Sequence, residues 1–372
     1  MRRLLVLVAL VLAACSSSGS TASVSPGATR SPSASAAPTA TPGATPTSPA
    51  DLPVTPVDFS CRLPVVWSTT DNSGMTLQGA SIAFPTAQLA EDPAGTMHSR
   101  LVEGDFATTA TPILRGDGVV PFYDRAYSRW VPARKSQALP DGSGYAYVTW
   151  NAQSGIFAAH VVDVATASSR DFSLPTGFNP FVADYDVSGV YLVGGSALGG
   201  PGEGVWLLNP KTGAVKEIGH IHQVWAVRDG YAWVGRLDPR DTTVYPPSEL
   251  ALANSLVRIN LATGAETVWF YRPGVYPWLL GLASTDEAVL LLGLGPNANE
   301  VRLVNSAGSS GELVYAGDTS ELDYVQGDQN RLWFGNARGI YLYRPAAGFQ
   351  KVFAYAADPS TSNRIEPAGF CI

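Results

Sequence analysis

The chain has 372 residues and carries 24 basic against 31 acidic side chains, for a net charge of −7. No basic stripe is visible, which argues against a nucleic-acid partner. Hydrophobic residues make up 45% of the chain, enough for a large core, and arginine heavily outnumbers lysine: Lys135, Lys211, Lys216 and Lys351 are the only lysines.

Arg2 and Arg3 give a positive start, and Leu4 to Ala14 is an unbroken apolar run. Eleven helical residues reach only about 16 Å, too short to span a bilayer. Residues 1–14 therefore read as an export signal. The run closes on Leu12-Ala13-Ala14-Cys15, which resembles the lipobox of bacterial lipoproteins. That resemblance implies acylation of Cys15 and attachment to a membrane through lipid. The plainer alternative is an ordinary secretory signal followed by a chance cysteine.

Residues 15–57 are almost entirely Ser, Thr, Ala, Pro and Gly beyond the cysteine, with Arg30 and Asp51 as the only charges and no aromatic residue. Such a segment cannot bury enough apolar surface to offset its ordering entropy, so a disordered tether is expected. As a random coil its ends would lie about 35 Å apart. Of the two remaining cysteines, Cys61 opens the folded part and Cys371 is the penultimate residue. An exported chain favours oxidation, so the pair reads as a disulfide, with two free buried thiols as the alternative.

Residues 58–372 hold every tryptophan and show no sustained 3.6-residue apolar period. Short apolar runs bounded by Gly, Asp, Asn and Pro dominate, so strands are expected throughout. Two turn series recur. One contains Asp163-Val164-Ala165-Thr166, Asn209-Pro210-Lys211-Thr212-Gly213, Asn260-Leu261-Ala262-Thr263-Gly264 and Asn305-Ser306-Ala307-Gly308, with looser copies at Pro85, Asp124 and Arg344. The other runs through Asp105, Asp141-Gly142, Asp186, Asp229-Gly230, Asp286-Glu287 and Asp328. Two interleaved series at a period of about 43 residues mean four strands per repeat.

Four-stranded repeats of that length resemble β-propeller blades. With strands a to d counted from the axis outward, the Asp series is the a–b turn and the Asn/Asp series the c–d turn. Leu139-Pro140-Asp141-Gly142 is similar to the turn of TolB-type repeats, and the Asn-x-x-Thr-Gly turns to those of YVTN-type and quinoprotein-like blades. The Trp-Asp signature of WD repeats is absent. The resemblance implies an all-β, seven-bladed propeller closed by N- and C-terminal strands. Ile365–Ile372 would be strand a of the last blade, Arg62–Ser68 strand b, Ala80–Phe84 strand c and Ala87–Ala90 strand d. Cys371 and Cys61 would then stand where an a–b hairpin is missing. Met97 to Ala133 is poorly marked, and six blades is the count if that region is irregular.

Catalytic signatures are missing: there is no Gly-x-Ser-x-Gly elbow, no phosphate-binding loop and no His-Glu-x-x-His. No catalytic residue, metal site or cofactor is assigned. Two sparse features keep zinc or calcium in view. His220-Ile221-His222 has a strand's period of two, and Asp184-x-Asp186-x-Ser188-Gly189 imitates the start of a calcium loop but has Gly195 where a bidentate Glu belongs. A d–a loop and an a–b turn explain them without metal.

Loop length is the remaining clue. Propeller d–a and b–c loops share one face. The longest b–c loops, Gly194–Gly204 and Arg236–Ser255, are adjacent. They and the neighbouring d–a loops nominate His220, His222, Arg236, Tyr245, Arg272, Tyr276 and Trp278 as a ligand-binding face, since aromatic and arginine side chains suit binding hot spots. Packing between blades is the other role open to Tyr276 and Trp278. The reading is a lipid-anchored, extracytoplasmic protein of the cell envelope. Its propeller binds or scaffolds an envelope protein, peptide or glycan. The alternatives are a propeller lyase, lactonase or hydrolase with a metal at the axial mouth, and a subunit of an envelope assembly.

Overall fold

A computed structural model describes residues 48–71, 74–99, 121–151, 155–175, 180–194, 203–238, 240, 253–284, 286–295, 298–319, 322, 324–355 and 364–372. Residues 1–47, which carry the expected export signal, Cys15 and most of the expected tether, lie outside them. Among the described residues no helix is long and apolar enough to cross a membrane.

The described residues are mostly in strands. β1 (Cys61–Asp71), β2 (Gly74–Phe84), β3 (Gln88–Glu91) and β4 (Met97–Ser99) come first, then a hairpin of β5 (Phe122–Asp124) and β6 (Arg129–Val131). A three-stranded sheet follows, β7 (Gly144–Asn151), β8 (Ile156–Asp163) and β9 (Ser169–Ser173), to whose inner edge Ala138 adds a single bridge with Tyr145. Four antiparallel meanders of four strands succeed one another. They are β10 (Pro180–Asp186) to β11 (Gly189–Gly194), β12 (Glu203–Leu208) and β13 (Val215–Gly219); β14 (Val224–Arg228) to β15 (Tyr231–Arg236), β16 (Ser255–Asn260) and β17 (Glu266–Tyr271); β18 (Tyr276–Ser284) to β19 (Glu287–Gly295), β20 (Ala298–Val304) and β21 (Glu312–Gly317); and β22 (Tyr324–Asp328) to β23 (Arg331–Asn336), β24 (Gly339–Arg344) and β25 (Gly348–Ala354). Last comes β26 (Arg364–Pro367), which pairs with β1 to give the order β26-β1-β2-β3 from distant parts of the chain; a single Asn336–Ile365 bridge to β23 joins these strands, with β4 on β2, and the preceding meander into one nine-stranded sheet.

Among the described residues the two turn series fall between the strands the sequence assigns to them; Asp105 lies outside the described residues. In Asn209–Gly213 the Asn209 Oδ1 accepts the N–H groups of Lys211 and Thr212 at 2.8 and 3.2 Å, and in Asn260–Gly264 the Asn260 Oδ1 accepts those of Ala262 and Thr263 at 3.0 Å each. Gly264 closes its turn at φ +71°, in the left-handed region that a side chain would strain. This is why the motif ends in Gly.

Apolar faces of consecutive sheets pack against each other. Tyr191, Val193 and Val205 meet Val224, Val234 and Val257, and Trp233 and Leu256 meet Leu290 and Leu292. Leu63, Val65 and Ile82 of the last sheet meet Trp333, Ile340 and Leu342. Four-stranded meanders packed face to face in chain order are the blades of a β-propeller. Gly327 shows how close the inner strands come: a Cβ there would lie 2.3 Å from the Ala283 carbonyl oxygen.

Two boundaries differ from expectation. The C-terminal strand ends at Pro367 rather than at Ile372, because Pro367 and Gly369 interrupt a ladder. The chain beyond still bonds to β1 through Ala368 N to Pro64 O (2.9 Å) and Ile372 N to Arg62 O (3.0 Å). The last ten residues placed in the tether pack on the domain instead. Val54 bridges Lys351 in parallel, Thr55 N donates to Lys351 O at 2.8 Å, and Val57 is buried in the core. In the poorly marked region, β5 and β6 turn at Asp124 as the series requires, with Asp124 Oδ1 accepting Ala126 N at 2.7 Å. Residues 100–120 lie outside the described residues.

Cys61 and Cys371 form a disulfide with Cα atoms 5.6 Å apart. It stands at the join between β1 and the C-terminal segment, where a continuous blade would have an a–b hairpin.

Candidate functional site

The structure brings most of the nominated face together at the end of the sheets that carries the b–c and d–a loops. The loop His220–Gln223 links β13 to β14. Its His222 Nδ1–H donates to Glu203 Oε2 at the start of β12, and Ile221 O accepts Gly204 N at 2.7 Å. The two imidazoles sit edge to face with centroids 4.8 Å apart. Arg236, ending β15, donates through Nη1 to His222 O at 2.7 Å. Trp225 lies over Gly235: a Cβ there would come within 2.8 Å of the indole, so glycine makes the seat for the ring. Trp278 of the next sheet stands 6.1 Å from Trp225, centroid to centroid, with its side chain 49% exposed. Tyr276 is half-buried beside it in β18. Arg272 reaches Glu300 Oε2 at 3.0 Å, and Arg302 reaches the same oxygen at 2.7 Å. Burial raises the Glu300 carboxyl, but the two guanidinium groups outweigh it and hold the pKa below the usual value. Tyr245 and the middles of both long b–c loops lie outside the described residues.

One backbone feature marks this face. Among the described residues, six other than glycine have φ between 49° and 55°. Ala87, Ser128, Ala167, Asp229 and Gln329 sit in hairpin turns between paired strands. Gln223, at φ 55°, is in the d–a loop, and its carbonyl accepts Gly235 N at 3.0 Å. Strain of this kind persists where surrounding contacts over-determine it. Nothing in the residue types around Gln223 signals it.

No protein-family model matches the chain, and no curated protein matches it. Solved structures do. The chain is similar to the β-propeller domain of the Trilobed protease from Pyrococcus furiosus (12% identity, TM-score 0.43, 82% of this chain and 85% of that one). It is similar to TolB from Acinetobacter baumannii (16%, TM-score 0.43, 84% and 65%), so it spans just under two thirds of that protein. It is also similar to an oligogalacturonate lyase in complex with manganese (9%, TM-score 0.42, 84% and 98%).

The opposite end of the sheets holds two groups outside the nominated face, one of them the Asp184 that opens the calcium-like stretch. Asp184, in β10, is buried, and its Oδ2 accepts Asp229 N from the neighbouring a–b turn at 3.0 Å. Burial pushes its carboxyl up to about 7 against the lowering effect of that bond, and the Asp186 and Asp229 charges add to the rise. Asp186 Oδ1 caps its own turn by accepting Ser188 N at 2.7 Å. Lys135 opens a short 3-10 turn, Lys135–Gln137, held by Gln137, whose Oε1 accepts Arg134 N and whose Nε2 donates to Val182 O. The Lys135 Nζ stands 3.6 Å from the Phe370 ring centroid. Burial, then the Arg228 charge, lowers its pKa to about 8, with Asp328 opposing. Neither shift is legible in sequence, because each depends on residues far apart in the chain. No group of three or more His, Cys, Asp or Glu among the described residues is placed to hold a metal ion.

Proposed function

We propose that the chain is a lipid-anchored protein of the cell envelope whose seven-bladed propeller, closed by β26 pairing with β1, binds an extracytoplasmic ligand at the b–c and d–a loop face. The observation that carries the binding role is the half-exposed Trp278 beside Trp225, flanked by Arg236, Arg272 and the His222–Glu203 pair. A large apolar ring left in water next to oriented polar groups is the composition of a binding hot spot. Seven blades follow from counting β5–β6 as the outer half of one and Ala138 with β7–β9 as another. The anchor rests on Leu12-Ala13-Ala14-Cys15 and the tether on composition.

Affinity capture from envelope extract tests the role. The full chain should retain a partner that Trp278→Ala releases, and equal recovery by both would move the site elsewhere. Metabolic labelling with a radioactive fatty acid, lost in Cys15→Ser, tests the anchor.

The enzyme alternative draws on a different observation. Asp184 and Lys135 both titrate near neutral pH, as groups that move protons do. A turnover abolished by Asp184→Asn, with ligand capture at Trp278 intact, would put that reading first.

A further inference from the structure

We infer that the Trp225–Trp278 face takes a neutral oligosaccharide, a reading that rests on the binding role above and specifies the ligand's chemistry.

The geometry begins with the rings. Trp225 and Trp278 come from the inner strands of adjacent sheets, with centroids 6.1 Å apart and planes tilted by 38°. Trp225 is seated over Gly235, and Gln223 is held at positive φ beside it, so the platform is fixed before any ligand arrives. Pre-fixed aromatic surface contributes binding without a large ordering cost. The rings offer flat apolar faces, and a pyranose offers a flat face of C–H groups. The Trp225 Nε1 is buried and without a hydrogen-bond partner among the described residues, so this indole contributes its face rather than its N–H.

The polar groups decide the class. At the same end of the sheets, donors and acceptors come already paired. His222 bonds Glu203, with side chains 63% and 47% exposed, and Arg272 bonds Glu300, with side chains 43% and 16% exposed. Each pair keeps unspent capacity: a carboxylate has about four lone-pair sites and a guanidinium five N–H donors. Such a pair presents donors and acceptors side by side. A sugar hydroxyl, which donates once and accepts twice, matches that alternation, and vicinal hydroxyls match it twice over. A strongly anionic or cationic ligand does not. Its charge would face Glu203 and Glu300, or Arg236, Arg272 and Arg302, each already committed in part to a partner of opposite sign or to a carbonyl. Bringing it in would break those pairs or bury like charges together.

Isothermal titration of the full chain tests this. The probes are maltohexaose, cellohexaose and chitohexaose, with trigalacturonate and an Asp/Glu-rich decapeptide as charged comparisons. At least one neutral hexaose should bind, at least tenfold more tightly than either charged probe. Trp278→Ala should weaken that binding at least tenfold with an unchanged melting temperature, and Trp278→Phe should restore most of it. Preference for a charged probe, binding indifferent to Trp278, or no heat from any neutral hexaose would each overturn the inference. Failure here combined with Trp278-dependent capture from envelope extract leaves the binding role standing and removes only the saccharide. Failure of both removes the face itself.

Discussion

The sheet β26-β1-β2-β3 and the sheet β14–β17 have the same strand order and are held in different ways. The second is continuous chain. Its inner turn is Asp229-Gly230, its outer turn Asn260–Gly264, and Arg258 lies between the rings of Tyr231 and Trp269 at 4.4 and 4.1 Å. Arg258 also pairs with Asp286 of the next sheet. The first sheet joins residues 310 positions apart. It has no inner hairpin, and a disulfide stands in its place. Asp328 Oδ2 accepts Cys371 N at 3.2 Å and Trp333 Nε1 at 3.4 Å, and Phe84 stacks on Trp333 at 5.5 Å. A local turn loses little entropy when it closes. A join between chain ends must be fixed by a covalent bond and buried contacts, because loop entropy works against it.

The comparison can be broken first at the disulfide. Replacing Cys61 and Cys371 together by serine should cost about 5 kcal/mol, the scale for so long a loop, read as a fall in the denaturant midpoint. Equal stability of the double variant would mean that packing alone holds the closing sheet.

The continuous sheet depends on pH through Asp184, which accepts the Asp229 N–H at its inner turn. Its folded pKa of about 7 is raised above the ordinary 3.8, so its contribution is fully present below pH 3.8 and is lost as pH rises through 7. Asp184→Asn keeps an acceptor and removes the charge. It should be about 4 kcal/mol more stable than the parent at pH 8, with the difference vanishing toward pH 3. Parallel stability curves would show that the carboxyl is not perturbed.

Shortening the chain to begin at residue 58 removes Val57 from the core beside Phe84 and Trp333, and the Val54–Lys351 bridge with it. A loss of about 2 kcal/mol is expected by urea titration. The smallest effect is at Arg258. Arg258→Met should cost about 1 kcal/mol and Arg258→Lys nearly as much, since an ammonium cannot stack flat between two rings.

Much of the fold was legible because turns are local. Asn209, Asn260 and Asp163 bond their own chain two or three residues ahead, and the glycines at 213 and 264 finish the turns, so a short window of sequence contains the whole device. The period of those turns gave the four-stranded repeat. The spacing also placed Arg62–Ser68 next to the C-terminal strand, which the β1–β26 register bears out. Residues 48–57 were not legible as part of the domain, because their composition is that of free chain and their partners, the β25 edge at Lys351 and the core around Phe84 and Trp333, lie far away in sequence.

The candidate face was legible in its parts and not in its arrangement. Long loops nominated His222, Arg236 and Trp278. Only tertiary structure set Trp225 over Gly235, stood it against Trp278 and fixed Gln223 at positive φ, because these contacts cross from one sheet to the next. The buried Asp184 and Lys135 followed the same rule. Sequence by itself determined strands, turns and their repeat, which are set by hydrogen bonds within a few residues. Tertiary structure decided which side chains lose water and which rings meet, since desolvation and packing are sums over neighbours that the chain brings from far away.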